Sequence, residues 1–175
     1  LFIALLVTAL ACLLLGMGLP TLPAYLFIVL FVGPVIGSLG IPALLVHMFV
    51  LYFGVLSNVT PPVAIAAYAA APIAGSNPMS TGFNALRLAA VGFIIPFVMI
   101  YYPSISIVID FNWPEFLWII IRMPVVIWLF ASGLIGCDTR KLGFLERICR
   151  VVCGLAILVE FVPVQIGAYT LGFAL

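Results

Sequence analysis

Ser57-Asn58-Val59-Thr60-Pro61-Pro62 interrupts a run that is otherwise apolar from about Ala43 to Pro72, and no other stretch constrains the fold as strongly. Neither proline has an N–H to donate, and the first disfavours helix at the residue before it, so a continuous helix cannot pass through this point. In water such a stretch is an ordinary loop. In a bilayer, broken backbone at mid-depth survives only where it is buried in protein or lines a cavity. Two half-helices meeting end to end at such a place are one way to build a substrate and ion site.

Composition decides which solvent applies. Of the 175 residues, 67% are hydrophobic and 6% are charged, against roughly 25% charged in a soluble domain. Mean hydropathy is +1.45, and several apolar runs approach or exceed the ~20 residues that span a bilayer core. The runs are continuous, whereas a β-barrel would alternate in segments of about ten residues. The expected fold class is all-α integral membrane, with lipid as its surroundings. A net charge of +1 gives no reason to expect a nucleic-acid partner. The chain has no initiator Met and begins inside an apolar run at Leu1. It reads as the C-terminal part of a longer protein, not as one opening with a charged leader and a cleavage site. The cysteines are Cys12, Cys137, Cys149 and Cys153. The pair at 149 and 153 shares a helix face, but no His or carboxylate pattern of a metal site accompanies it.

Along the chain, an apolar helix from Leu1 to about Leu15 stops at Gly16-Met17-Gly18, and Pro20 suits the first turn of the next run, Thr21 to about Ile36. Residues 1–36 are either a re-entrant helical hairpin or two ordinary transmembrane helices joined by a turn. Residues 37–75 form the broken transmembrane helix, its halves expected at Ala43 to about Leu56 and at Val63–Ala74, the second rich in the small residues that let membrane helices approach closely. Gly75–Thr81 reads as a polar loop, and residues 76–103 carry a span from Phe83 to about Tyr102, with Arg87 near its start and Pro96 as a possible kink. Residues 104–175 form a C-terminal extension with two transmembrane segments, Phe116 to about Gly136 and Val151–Leu175, the latter interrupted by Glu160 and Pro163. Asn112-x-x-Glu115 resembles a capping box before the first of them. The cluster Arg140, Lys141, Arg147 and Arg150 places loop 137–150 in the cytoplasm by the positive-inside rule. The loop Pro103–Trp113 then lies outside, and a re-entrant first hairpin would point its tip toward the Ser57–Pro62 break.

At the break, the helix ending near Ser57 leaves its last carbonyls for a cation, and the helix beginning near Pro62 presents a positive end, with Thr60 as a cap, that favours an anion. Side-chain oxygens of Ser57, Asn58 and Thr60 suit a hard ion such as Na⁺. Gly16 and Gly18 let the hairpin backbone approach closely and add carbonyls. No carboxylate lies in either element. A plain kink between two short helices is the competing reading of Pro61-Pro62. His47 is expected as a hydrogen-bonded packing or interface residue, with a proton relay as the alternative, Arg87 as a cation at the cytoplasmic interface, and Arg122 and Glu160 could meet between helices. No catalytic set, phosphate loop or His/Glu metal motif supports an enzyme.

Gly16-Met17-Gly18-Leu19-Pro20-Thr21, then Tyr52-Phe53-Gly54-Val55-Leu56-Ser57-Asn58-Val59-Thr60-Pro61-Pro62-Val63-Ala64, and the stretch through Ala66-Ala67-Tyr68-Ala69-Ala70-Ala71 to Gly75 resemble the large membrane subunit of the TRAP (tripartite ATP-independent periplasmic) transporters. The resemblance is closest to the fused permeases of the TAXI branch. It implies a bacterial or archaeal cytoplasmic membrane, Na⁺ as coupling ion, and import of small organic, often carboxylate, solutes delivered by a periplasmic solute-binding protein. It also implies two inverted repeats moving as an elevator, with residues 1–36 as the second hairpin and 43–75 as the second broken helix. The first repeat would then be the remaining N-terminal part of the same permease. On this mapping Gly16, Gly18, Ser57, Asn58 and Thr60 would hold Na⁺, while Pro20, Thr21, Asn58, Thr60, Pro61 and Pro62 would lie near the solute. Two other readings stay open: a different two-repeat elevator transporter for anions or metalloid oxyanions, and a structural membrane subunit that does not transport.

Overall fold

The computed structural model describes residues 2–136 and 142–158. All regular elements among them are helical, in two compact units, Leu1–Asp110 and Phe111–Leu175. Two helical stretches, Pro78–Tyr101 and Trp113–Ile135, are long and apolar enough to cross a membrane.

The first unit is built on α1 (Phe2–Gly16), α2 (Thr21–Gly37) and α3 (Ala43–Leu56). All three are apolar around their whole circumference, yet each buries one stripe: Leu5, Ala9 and Cys12; Ile28, Val32 and Ile36; Val46, Phe49, Val50 and Phe53. These spacings of three and four residues put the side chains on one helix face. The opposite faces, with Leu6, Leu10 and Leu14 on α1 and Leu22, Leu26 and Leu30 on α2, stay exposed, as suits helices facing lipid or further protein. With 15 and 17 residues, α1 and α2 each fall short of the ~20 residues of a full span. Pro20 and Pro42 stand one residue outside α2 and α3, as N-caps, where their missing N–H costs no helical bond.

The broken helix differs from expectation in where it breaks. After α3 the chain tightens into a 3-10 turn over Ser57–Val59, so the helical path continues three residues further than the sequence suggests. It is lost only at Thr60, and Pro61-Pro62 is joined by a cis peptide. The second half, α4, is Ile65–Ala70, much shorter than the expected Val63–Ala74. Ala64 precedes it in the left-handed conformation, fully buried, and a residue at positive φ stops a helix from starting earlier.

The next helix begins earlier than its apolar pattern suggests. Asn77 accepts hydrogen bonds from the amides of Met79 (3.0 Å) and Ser80 (3.3 Å), and Pro78 occupies the first turn, so α5 is Pro78–Ala89 and Arg87 lies in its last turn. The stretch expected as a loop is thus partly helix. A 3-10 segment, Ala90–Phe93, separates α5 from α6 (Ile95–Tyr101). Pro96 accounts for it: a proline removes one helical hydrogen bond and crowds the carbonyl four residues back, here that of Gly92. α6 returns to the core, where Phe97 meets Phe49 and Phe53 edge-on at 5.6 and 5.8 Å.

The second unit pairs α7 (Trp113–Ile135) with α8 (Phe144–Leu158). Asn112 precedes α7, but its side chain makes no cap hydrogen bond, and its carbonyl accepts from Phe116 N instead. Half of the expected loop 137–150 is helix: α8 already includes Glu146, Arg147 and Arg150. Arg147 donates from Nε to Gly133 O and from Nη2 to Leu134 O, both at 2.9 Å, and so satisfies carbonyls in the last turn of α7. The Arg150 guanidinium lies 4.9 Å from the Trp128 ring centre, and buried Arg122 stacks near Trp118 and donates to Ile157 O. Cys137, Asp138, Arg140, Lys141, Glu160, Pro163 and the run 159–175 lie outside the described residues, and with them the suggested meeting of Arg122 and Glu160.

Candidate functional site

Two elements far apart in sequence meet at the break. Gly16 closes α1, and a Cβ on it would stand 2.6 Å from Ser57 Oγ and 3.1 Å from Ser57 Cβ. No side chain fits there, so the turn between α1 and α2 reaches Ser57 only because residue 16 is glycine. Two residues on, Gly18 takes φ +83°, and a Cβ there would lie 3.8 Å from Val63 Cγ1. The turn therefore abuts Ser57, and on the far side of the interruption the side chain that Gly18 faces is Val63. Ser57 is fully buried beneath the turn.

The hydroxyls and the amide of the break turn back onto α3. Ser57 Oγ donates to Gly54 O at 2.6 Å, Asn58 Nδ2 reaches the same carbonyl at 3.4 Å, and Thr60 Oγ1 donates to Leu56 O at 2.7 Å. Carbonyls at the end of α3 that the sequence suggests as free are partly satisfied by their own neighbours. Each hydroxyl spends its hydrogen on a carbonyl and keeps its oxygen lone pairs, which makes it an acceptor or cation ligand toward anything on its other side. Thr60 does not cap the second half-helix as expected. Its carbonyl accepts from Ala64 N at 3.1 Å, a turn that fills the gap before α4.

Past the prolines, the carbonyls of Pro61 and Val63 accept no backbone N–H among the described residues, and the amides of Ile65, Ala66 and Ala67 donate to no backbone carbonyl there. Unpaired donors and acceptors thus lie within a few residues of each other. The positive end of α4 is small, because a six-residue helix sums few peptide dipoles. Of the remaining sequence-predicted residues, Pro20 and Thr21 are exposed at the start of α2, and Thr21 makes no side-chain hydrogen bond among the described residues. Pro61 is half-buried and Pro62 exposed.

α5 closes over the break, which the sequence reading missed. A Cβ at Gly82 would stand 2.9 Å from Tyr68 Cε1, 3.4 Å from Pro61 Cγ and 3.5 Å from Ala64 Cβ. Tyr68 turns back to donate to Pro62 O at 2.8 Å. Nothing in the spacing pointed to Gly82, but a tyrosine in an apolar stretch carries its own signal, because its hydroxyl needs a partner. Away from the break, His47 on α3 hydrogen-bonds through Nδ1 to Tyr25 OH on α2 at 2.8 Å, but its ring is exposed, so it is hydrogen-bonded without being packed away. It borders a cavity of about 270 Å³ with Val29, Gly33, Pro34 and Val46.

Three short apolar helices, two further helical stretches long and apolar enough to cross a membrane, and a broken helix met by a glycine turn are consistent with an α-helical membrane protein. The pattern of the family described as "Tripartite ATP-independent periplasmic transporter, DctM component" matches residues 1–113. The chain belongs to this family, the large membrane component of TRAP transporters. That is a family of transporter components, not of enzymes. No curated protein and no solved structure matches the chain.

Proposed function

We propose that this chain works in a Na⁺-coupled permease of the TAXI branch, importing small organic carboxylates across the cytoplasmic membrane. A periplasmic solute-binding protein delivers the solute. Na⁺ sits where the Gly16–Gly18 turn meets Ser57, Asn58 and Thr60, held by carbonyl and hydroxyl oxygens without a carboxylate. The solute lies beside it, toward Pro20, Thr21 and the Pro61-Pro62 segment. Residues 1–36 act as a re-entrant hairpin, the second of two inverted repeats, and a first repeat of the same design supplies the other half of the site. The repeats move together as an elevator, and the segment 137–150, with the start of α8, faces the cytoplasm.

The observation that carries this reading is the approach of Gly16 to Ser57, 2.6 Å from a would-be Cβ to Oγ. A hairpin tip built to reach a break in another helix has a purpose in an ion site and none in a plain kink. The unpaired backbone groups of Pro61, Val63 and Ile65–Ala67 argue against a purely structural subunit, for which unsatisfied groups in lipid would be a cost without a use.

The test needs no knowledge of the solute. Thermal unfolding of the purified protein is compared in Na⁺ and in choline or K⁺ at equal ionic strength. A ligand bound only by the folded state raises the unfolding temperature by mass action. Na⁺ should stabilise the wild type, and Asn58→Ala and Thr60→Ala should lose that increment. A well-folded protein indifferent to Na⁺ would refute sodium coupling at the break.

A further inference from the structure

We propose that Tyr68 is a positioning residue for the ion site, fixing the Pro62 carbonyl and with it the peptide planes of the Thr60–Ala64 segment. The inference rests on the reading of the break as a Na⁺ site. Because α4 begins only at Ile65, Pro62 O accepts no backbone N–H among the described residues, and the Tyr68 hydroxyl at 2.8 Å is the donor it has there. The hydroxyl also lies 3.4 Å from Met79 Sδ in the first turn of α5. A phenol has one hydrogen to give, and a carbonyl is a far better acceptor than a thioether, so the hydrogen goes to Pro62 O.

The ring is held as firmly as the hydroxyl. It packs against α5 at Gly82, at the same point where Pro61 and Ala64 make contact. One spot on α5 therefore fixes both the proline segment and the residue that ties down its carbonyl. The carbonyls on either side, Pro61 O and Val63 O, likewise accept no backbone N–H among the described residues. By occupying the middle carbonyl, Tyr68 sets the direction in which its neighbours point. A tyrosine that merely satisfied an orphan carbonyl would affect stability alike in every salt. One that orients the Thr60–Ala64 segment holds the ion ligand Thr60 in place through it, and would change Na⁺ affinity and selectivity.

The experiment titrates Na⁺, and separately Li⁺, against thermal unfolding of the purified protein, with choline keeping ionic strength constant. The wild type, Tyr68→Phe and Gly82→Ala are compared. Tyr68→Phe removes only the hydroxyl, and its half-saturating Na⁺ should rise roughly three- to tenfold, the worth of one hydrogen bond, with a narrowed preference for Na⁺ over Li⁺. Gly82→Ala presses on the ring, on Pro61 and on Ala64 together while keeping the hydroxyl, and should shift Na⁺ in the same direction; if Tyr68→Phe does not fold, Tyr68→Trp, which keeps a ring but cannot place a hydroxyl on Pro62 O, takes its place with the same expected rise. Half-saturation within twofold of wild type in the folded variants, with unfolding lowered equally in all salts, would overturn the proposal. A wild type that does not respond to Na⁺ at all would instead bring down the ion site itself, and this inference with it.

Discussion

At Gly16 one methyl group separates the observed packing from any other. Its Cβ would lie 2.6 Å from Ser57 Oγ and 3.3 Å from Ile28 Cδ1, so both the break and α2 would have to give way. Asn77 shows the same dependence on a single side chain through hydrogen bonds. Its carbonyl oxygen holds the first amides of α5 in place, those of Met79 and Ser80. Asn77→Ala should lower stability by about 1 kcal/mol, and Asn77→Asp should recover most of it. Thermal unfolding of the two variants beside the wild type checks this. That Gly16 and Ser57 belong together could be read from the sequence, because a glycine turn and a polar proline-containing stretch each interrupt an apolar run. The directions of the side chains could not. Whether Thr60 caps the next helix or bonds back to Leu56 O depends on where that helix starts, and Ala64 at positive φ decides it. Alanine carries no signal for that conformation.

Among the elements, the core helices were read to within a residue or two, since glycine and proline punctuate them directly. The misplacements have physical causes. α5 starts at Pro78 because an Asn cap and a first-turn proline outweigh a polar composition that reads as loop. The helix after Arg140–Lys141 starts at Phe144 because basic residues need not mark a loop. Arg147 instead lies along the end of α7 and donates to Gly133 O and Leu134 O. Arg147→Ala should destabilise the α7–α8 pair by about 2 kcal/mol, the usual cost of losing hydrogen bonds from a charged group. Arg147→Lys, unable to reproduce the fork, should recover less than half. Unfolding followed by the fluorescence of Trp113, Trp118 and Trp128, all in α7, reads this unit directly. Unchanged unfolding in Arg147→Ala would mean that the two carbonyls find other donors.

On the scale of the whole molecule, the matched family stretch, residues 1–113, covers the first unit and ends at the first residue of α7. The hairpin, the broken helix and α5 around it therefore belong to the part common to TRAP permeases, and the α7–α8 pair lies beyond it. The two elements that meet at the break were legible in the sequence because both are defects in apolar runs. The third, α5, was not, since its contribution is a bare glycine facing a tyrosine and a proline. In the proposed function the glycine turn and the broken helix form one cation site. Isothermal titration of Na⁺ into the purified wild-type protein and into Gly16→Ala tests it most directly. The account predicts saturable Na⁺ binding in the wild type and at least tenfold weaker binding in a Gly16→Ala variant that remains folded, since displacing the turn by a methyl group separates it from Ser57. Equal Na⁺ affinity in the two proteins would contradict it, because the turn would then hold no part of the ion.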